Sequence, residues 1–294
     1  NTTFGLTNSA VDSGHSLAVE ARNSGTVANV TVTGSTFTGA AGDLANFTGQ
    51  SGTTMDVVFQ GNHGSDNHPN NVIGGGGLTF ASAGAMTLNA SGNTLRDANG
   101  SAITLFKSTL GTSLSGTVNN NQIGVAGVAG SGSQTGNGIF ISAGGSGTIA
   151  LTINNNVIRN YGGNAGIYDD NTGGNYSVNL NITGNTTAEP GAGAFAGLAV
   201  TAGAPSSTDA ITVCANITGN DFSAGDPNDF ADIVLGVSTA ASTMRLPGYA
   251  GSTVADVQTF VFTNNNVPGT AVFAYVDSPA TDANFTGGAA CPTP

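Results

Sequence analysis

The chain has 294 residues, of which only 7% are charged, and its net charge is −12 with five lysine and arginine residues in total. So few cations cannot neutralise a row of phosphates, which argues against nucleic acid and against an anionic membrane surface as partners. No apolar run approaches the roughly 20 residues that a membrane-spanning helix needs. The 46 glycines, with abundant Thr, Asn, Ser and Val, are typical of short strands and tight turns and predict a mostly β chain.

One short pattern recurs along the chain: alternating apolar and polar residues, then small polar residues and an asparagine, then an apolar residue. Copies include VTVTGSTF (30–37), GTVNNNQI (116–123), LTINNNVI (151–158) and ANITGNDF (215–222). The polar position of each copy falls, in chain order, on Ser35, Asn62, Asn93, Asn121, Asn156, Asn185, Asn220 and Asn266. Successive positions lie roughly 30 residues apart, with a longer last interval, and a second strand-like run such as GIFISA separates them.

A period near 30 residues with two or three strands in each repeat predicts a solenoid. Each repeat is then one coil of a right-handed parallel β-helix, and the copies predict about eight to nine coils. A sandwich of hairpins is the alternative all-β fold, but sandwiches show turn signals every ~8–12 residues without one fixed motif recurring at this period. The predicted fold class is therefore an all-β right-handed parallel β-helix.

The recurring asparagine has a structural explanation in such a stack. Equivalent positions in successive coils lie about 4.8 Å apart. Asparagine tolerates the left-handed backbone conformation of a corner, and its amide both donates and accepts, so stacked asparagines can form a ladder. Leu151, Ile153 and Ile158 are predicted to point into the core, while Thr152 points outward.

The pattern divides the chain into two regions. Residues 1–238 are predicted to form the coils, the first of them incomplete. Residues 239–294 are predicted to contain an excursion with a short helix, the terminal coil and a tail. The helix is expected within STVADVQTFV (252–261), with Ser252 as its cap, after Pro247 and Gly248.

The N-terminal segment matches the middle of a repeat rather than its start. NTTFGL (1–6) aligns with GSTFTG (34–39), which places Thr2 in the column of Ser35. The strand before the turn is then missing, so we predict an assembly edge that contains Asn1, Thr2, Thr3 and Phe4. Either upstream solenoid repeats precede this segment, or a neighbouring copy completes the coil by strand addition in a head-to-tail contact.

These repeats resemble those of pectate-lyase-like right-handed parallel β-helix proteins, and more narrowly the strand-repeat proteins of the bacterial cell surface. The resemblance covers residues 1–238 and 258–285, and the tail segments MRLPGYAGS and FTGGAACPTP resemble the closing part of such proteins. It implies the fold. It does not imply one activity, because the superfamily includes polysaccharide lyases, glycosidases, tailspikes, adhesins and filament subunits.

The enzyme activities that the resemblance allows need residues that are sparse here. Lyase chemistry would need acidic Ca²⁺ ligands beside a base, and the middle coils offer only Arg96, Lys107 and Arg159. Arg96 and Arg159 are predicted to share a column two coils apart without an acidic cluster, as solvated turn residues. The carboxylates Asp169 and Asp170 are neighbours on a strand and are predicted to face opposite sides. We therefore predict that the chain is not an enzyme.

Metal-binding candidates are weak. His63, Asp66 and His68 lie in one loop and could hold Zn²⁺ or Ni²⁺, although a polar surface loop is the simpler interpretation. The second group, which is expected to bind Ca²⁺ weakly or to form a capped turn, consists of Asp226, Asp229 and Asp232. No cofactor is predicted.

The two cysteines, Cys214 and Cys291, predict one disulfide in a secreted chain, with two unpaired buried thiols as the alternative. The leading hypothesis is an extracellular or surface-exposed structural protein that assembles end to end into a filament, or a rod-like segment of a longer adhesin. The alternative is a carbohydrate-active enzyme or carbohydrate-binding module, with loops 62–77 and 159–178 lining a groove for polysaccharide.

Overall fold

The computed structural model describes residues 14–40, 42–65, 75–205, 207–222, 231–267 and 272–294, and the backbone of residues 3–5. In the first half of the chain the strands are β1 Thr3–Gly5, β2 Leu17–Ala21, β3 Val27–Thr33, β4 Thr36–Thr38, β5 Ala45–Gly49, β6 Thr54–Gln60, β7 His63–Ser65, β8 Leu78–Ser82, β9 Ala85–Ser91, β10 Thr94–Leu95, β11 Ile103–Lys107, β12 Ser113–Asn119, β13 Gln122–Ile123 and β14 Ile139–Asn154. The remaining elements are β15 Val157–Arg159, β16 Ala165–Thr183, β17 Thr186–Ala188, β18 Ala196–Ala202, β19 Thr212–Thr218, β20 Ile233–Val237, β21 Thr243–Arg245, helix α1 Val254–Thr263, β22 Val272–Val276, a 3-10 turn Asp282–Asn284 and β23 Phe285–Thr286.

Adjacent strands of successive coils pair in parallel and form a solenoid with three faces. The ladder face contains seven strands, β1, β4, β7, β10, β13, β15 and β17. The front face contains β2, β5, β8, β11, residues 139–143 of β14, residues 165–171 of β16, β18, β20 and β22. The back face contains β3, β6, β9, β12, residues 148–154 of β14, residues 177–183 of β16, β19, β21 and β23.

The predicted all-β parallel solenoid is confirmed. The seven strands of the ladder face define about seven turns, while the front and back faces each contain nine strands. Among the described residues, the ladder face continues beyond β17 as isolated single-residue bridges, from Thr186 to Asp221 and from Asp221 to Asn266.

The core runs along the solenoid axis and is built from alternate residues of every strand. One inward column on the front face consists of Ile103, Ile139, Ile167, Leu198 and Ile233, all fully buried. Near the N-terminal end the core is aromatic, and the rings of Phe47 and Phe80 stack with centroids 5.3 Å apart. The predicted inward residues Leu151, Ile153 and Ile158 are buried as well. Each coil thus shares its apolar surface with its neighbours, which is why a solenoid needs several coils to be stable.

The asparagine ladder is present at the corner between the back face and the ladder face. The Oδ1 atom of Asn156 accepts from the backbone N–H of Asn121 at 3.0 Å and from its Nδ2 at 2.9 Å. The Nδ2 atom of Asn156 donates to the Val118 carbonyl and to Oδ1 of Asn185. The same arrangement links Asn62, Asn93, Asn121, Asn156, Asn185 and Asn220. Ser35 begins the ladder, since its backbone N–H donates to Oδ1 of Asn62.

The residue immediately before each ladder position has a different role from the ladder residue itself. Asn120 and Asn155 both have φ of 54°, in the left-handed region. In the coils where that residue is glycine, the backbone has the same conformation, as at Gly92, where φ is 64°. Left-handed backbone is costly for residues other than glycine and asparagine. The asparagine runs at 119–121 and 154–156 therefore combine a left-handed turn residue with a buried ladder residue that follows it.

The last ladder position was predicted one residue too late. The backbone N–H of Asn220 donates to Oδ1 of Asn265 at 3.0 Å, and the Nδ2 of Asn220 donates to the same atom at 2.9 Å. The ladder partner is therefore Asn265 and not Asn266. The cause is helix α1, which directly precedes this ladder position, where the earlier coils have a back-face strand, and which ends at the C-cap Asn264. That cap has φ of −95°, so the left-handed corner residue of the earlier coils is absent here and the spacing changes by one.

Helix α1 covers the C-terminal end of the core. Its N-cap is Thr253 and not the predicted Ser252, because Thr253 and Asp256 form a capping box. Val257 and Val261 are buried against the last coil. The tail then returns across this end, where β23 pairs with β21. The predicted disulfide between Cys214 and Cys291 is confirmed and joins the tail to β19.

Candidate functional site

Two of the three cations considered as catalytic candidates, Lys107 and Arg159, make polar contacts in the structure. Lys107 points into the core, where its Nζ atom donates to the carbonyls of Gly144 and Ser146 and lies 5.3 Å from the centroid of the Tyr176 ring. Burial lowers the pKa of Lys107. The carbonyl contacts and the ring stabilise its ammonium group in the front-to-back corner, so this lysine supports the fold.

Arg96 and Arg159 follow equivalent positions of the ladder face, because Leu95, Ile123 and Ile158 are paired in register. Arg159 binds Glu189, with 3.2 Å between Nη1 and Oε1. The N–H of Gly127 and the amide of Asn160 also donate to this carboxylate, and together with Arg159 they lower its pKa. The contacts of Glu189 therefore stabilise the loop that contains Gly127.

The paired aspartates face opposite sides of the sheet, as their spacing predicts. Asp169 is fully buried in the core beside Asn171, whose amide donates to it. Burial raises the pKa of Asp169 well above its ordinary value. Asp170 lies on the outer surface of the front face. Partial burial raises its pKa, and a hydrogen bond with the Thr201 hydroxyl offsets only part of that increase. The two carboxyls therefore do not form a pair across one site.

Only some of the predicted metal-binding residues lie in the described part of the chain. His63 lies in β7 on the ladder face, while the predicted partners Asp66 and His68 lie outside the described residues. Of the second group only Asp232 is described, and it is buried. Among the residues whose positions the structure gives, no group of three His, Cys, Asp or Glu side chains could hold a metal ion. No helix in the described part of the chain has the length and apolar character to cross a membrane.

The N-terminal coil has an exposed core edge. The inward residues Val30 and Val32 of β3 are only partly buried, whereas their partners in the next coil, Val57 and Phe59, are 2% and 0% exposed. On the front face Leu17 and Val19 of β2 are also partly buried. The predicted edge residues Thr3 and Phe4 lie in β1, which pairs with β4, while Asn1 and Thr2 lie outside the described residues.

Aromatic side chains cluster on the outer surface of the front face. Phe140 and Tyr168 occupy the same outward column in neighbouring strands, with ring centroids 5.8 Å apart. Phe195 makes an edge contact with Tyr168 at 6.3 Å. Two coils beyond β18, the rings of Phe273 and Tyr275 stack at 5.7 Å. Below them lies a small outer apolar cluster of Ala165, Ala196, Ala199, Ala231 and Val234.

Polar groups are set among these rings. Asp170, Thr201, Gly236 and Tyr275 form one outward column. A Cβ atom at Gly236 would lie 2.3 Å from Cζ of Tyr275, so the glycine allows this ring to lie flat along the face. Burial, followed by the nearby Asp170 carboxylate, raises the pKa of Tyr168 to about 12. We call this group the outer aromatic site. It consists of Phe140, Tyr168, Phe195, Phe273 and Tyr275, with Asp170 and Thr201.

Sequence reasoning missed the outer aromatic site, although a signal for it exists. In the front-face runs GIFISA, GIYDD and AVFAYV, the aromatic residue follows an inward apolar residue by one position and therefore points outward. Only the strand register shows that these outward aromatics belong to one column and come within contact distance.

The fold defines the chain as an all-β parallel solenoid protein whose C-terminal end is covered by helix α1 and the disulfide-linked tail. Comparison with family models, with curated proteins and with solved structures gave no match.

Proposed function

We propose that the chain is an extracellular structural rod that joins a second copy of itself through its N-terminal coil. The observation that carries the proposal is the partial exposure of core side chains in β2 and β3, in contrast to their buried equivalents one coil further on. Apolar side chains that line a core contribute to stability only when they are removed from water. A second chain that covers this end would complete their burial.

The backbone of β3 also supports strand addition. Thr54 donates its N–H to the Thr26 carbonyl, so in the alternating pattern of a parallel ladder the even-numbered residues of β3 bond towards the second coil. The backbone groups of Asn29 and Thr31 then point away from the solenoid. Such an edge is a template for pairing with another chain.

The opposite end of the solenoid limits the kind of assembly. Helix α1 and the disulfide-linked tail cover the C-terminal core, and Val257 and Val261 fill the place that a stacked coil would contact. A head-to-tail filament would require this cover to move aside. Joining two N-terminal ends uses the same surface on both copies and closes the assembly at two chains.

An extracellular location is part of the proposal. Its support is the disulfide between Cys214 and Cys291, because disulfides persist in oxidising compartments and are rare in reducing ones. The strong negative charge and the rod-like repeat are also suited to a secreted or surface-exposed structural protein.

Light scattering coupled to size-exclusion chromatography, with negative-stain electron microscopy, tests the proposal over a concentration series. We expect paired rods for the wild-type chain and single rods for Thr31→Pro, because proline removes an N–H only from the outer edge of β3. Thr152→Pro is the matched control: it lies at the equivalent register position inside the stack, where proline breaks a ladder bond and should destabilise the fold. Single rods for the wild-type chain at every concentration, or pairs that survive Thr31→Pro, would show that the N-terminal coil is not the joining surface.

A further inference from the structure

We infer that the outer aromatic site binds an uncharged glycan laid along the solenoid axis. The site extends from β14 to β22, across five neighbouring front-face strands. At about 4.8 Å between strands it is about 20 Å long, which is enough for several sugar units rather than one. This inference is independent of the joining of N-terminal ends, which uses a different part of the molecule.

The chemistry of the rings fits the faces of sugar rings. Aromatic faces are electron-rich, and the C–H groups on one face of a pyranose carry a partial positive charge, so the two stack favourably. Phe140 and Tyr168 are partly exposed on the outer surface, and their ring planes are inclined by only 34°. Phe273 and Tyr275 are partly exposed too and form a second pair, inclined by 28°, at the other end of the site. The two ring pairs provide separate platforms along one line.

The polar groups fit the hydroxyls at the edges of the same sugars. Asp170, Thr201 and Tyr275 lie in one outward column, which runs beside the column of Phe140, Tyr168 and Phe273. A carboxylate accepts hydrogen bonds, and the hydroxyls donate and accept them, so each can contact a sugar hydroxyl. Sites that combine apolar walls with a few placed polar groups are typical of small-molecule and oligosaccharide binding.

Charge selects an uncharged ligand. The described outward positions of the front-face strands from β11 to β22 include no lysine or arginine, since Lys107 points into the core. The only carboxyl within the site is Asp170, and the whole chain has a net charge of −12. Uronate or sulfated polysaccharides would be repelled and would find no cation to pair with. A peptide strand would also gain little, because the face of a sheet offers no free backbone groups for pairing.

Affinity electrophoresis tests the inference with soluble polysaccharides as probes. The uncharged probes are galactomannan, xyloglucan, mixed-linkage β-glucan and amylose, and the acidic controls are polygalacturonate and alginate. We expect retardation by at least one uncharged probe and by neither acidic one. Retardation by none of the uncharged probes, or stronger retardation by an acidic probe, would overturn the inference.

Variants then locate the binding surface. Tyr168→Ala should weaken binding about tenfold, because it removes the central ring, while Tyr168→Phe keeps the ring and should retain most of the affinity. Thr87→Ala is the control, since Thr87 is exposed on the outer surface of β9, on the back face of the solenoid. Equal binding by wild type and Tyr168→Ala would refute the assignment.

Two further measurements keep the result interpretable. Circular dichroism and a melting curve show whether Tyr168→Ala is folded. If it is not, Asp170→Asn decides the outcome, since it preserves the shape of the side chain. A binding constant unchanged by Asp170→Asn, with the uncharged probe bound, would place the ligand elsewhere. Light scattering tests whether the rings instead form a contact between two copies of the chain. If they do, Tyr168→Ala separates a lateral dimer, and the assignment of a glycan site is wrong.

Discussion

Asn156→Ala tests the ladder at its centre, and the structure gives the expected size of the effect. Removing the side chain breaks four hydrogen bonds: two that Asn156 accepts from Asn121, one that it donates to the Val118 carbonyl and one to Oδ1 of Asn185. Each bond contributes about 1 kcal/mol net, and a buried group left unpaired costs about 1–3 kcal/mol. Because Asn156 is 0% exposed, water cannot replace these partners, and we expect a loss of about 4 kcal/mol in the free energy of unfolding.

The neighbouring residue provides a matched control of the same chemical type. Asn155 is exposed and has φ of 54°, so its side chain makes no ladder bond and its backbone is left-handed. Asn155→Gly should change the free energy of unfolding by less than ~0.5 kcal/mol, and Asn155→Ala should cost about 1 kcal/mol through backbone strain. Urea unfolding followed by circular dichroism and tyrosine fluorescence measures all three variants, and equal m-values show that the transitions are comparable. If Asn156→Ala costs no more than Asn155→Ala, the ladder does not stabilise the solenoid as argued.

Three other outcomes are expected. Cys291→Ser should lower the free energy of unfolding by about 4.5 kcal/mol in the loop-entropy account, because the disulfide closes a separation of 77 residues, and a reductant should then have no further effect on the variant. Because burial raises the folded-state pKa of Asp169, the folded chain holds a proton that the unfolded chain releases, so stability should fall as pH rises from 3.8 towards the raised pKa. Asp169→Asn should remove that contribution and raise the melting temperature at pH 7, and identical pH profiles of variant and wild type would contradict this. Lys107→Met should cost about 2–4 kcal/mol, since it leaves the Gly144 and Ser146 carbonyls without their donor, and thermal unfolding would reveal it.

The chain itself determined the solenoid and most of its ladder. A repeat of roughly 30 residues and strict alternation of apolar side chains leave few ways to bury the apolar surface, so the parallel stack and the inward positions of Leu151 and Ile153 follow from pattern alone. The ladder residues from Asn62 to Asn220 were identified because each coil repeats the same local spacing. The disulfide partners were predictable because the chain has only two cysteines.

Local spacing was insufficient wherever an element of another kind intervened. Helix α1 precedes the final ladder position, where the earlier coils have a strand, so the final ladder residue is Asn265; the cap of this helix is Thr253. A strand advances about 3.3 Å per residue and a helix 1.5 Å, so counting residues across such a replacement loses the register.

Tertiary structure alone decided which distant residues meet. The three asparagines of one run are identical residues with different roles. Only the stacking of coils buries Asn156 in the ladder and leaves Asn155 exposed at the surface. The outer aromatic site likewise depends on strand register, which brings Phe140 next to Tyr168 and lays Tyr275 across Gly236. The sequence determines the period of the solenoid, whereas contacts between coils depend on register and on the lengths of the loops that close each turn. Those lengths vary from coil to coil, so the contacts exist only in the folded stack.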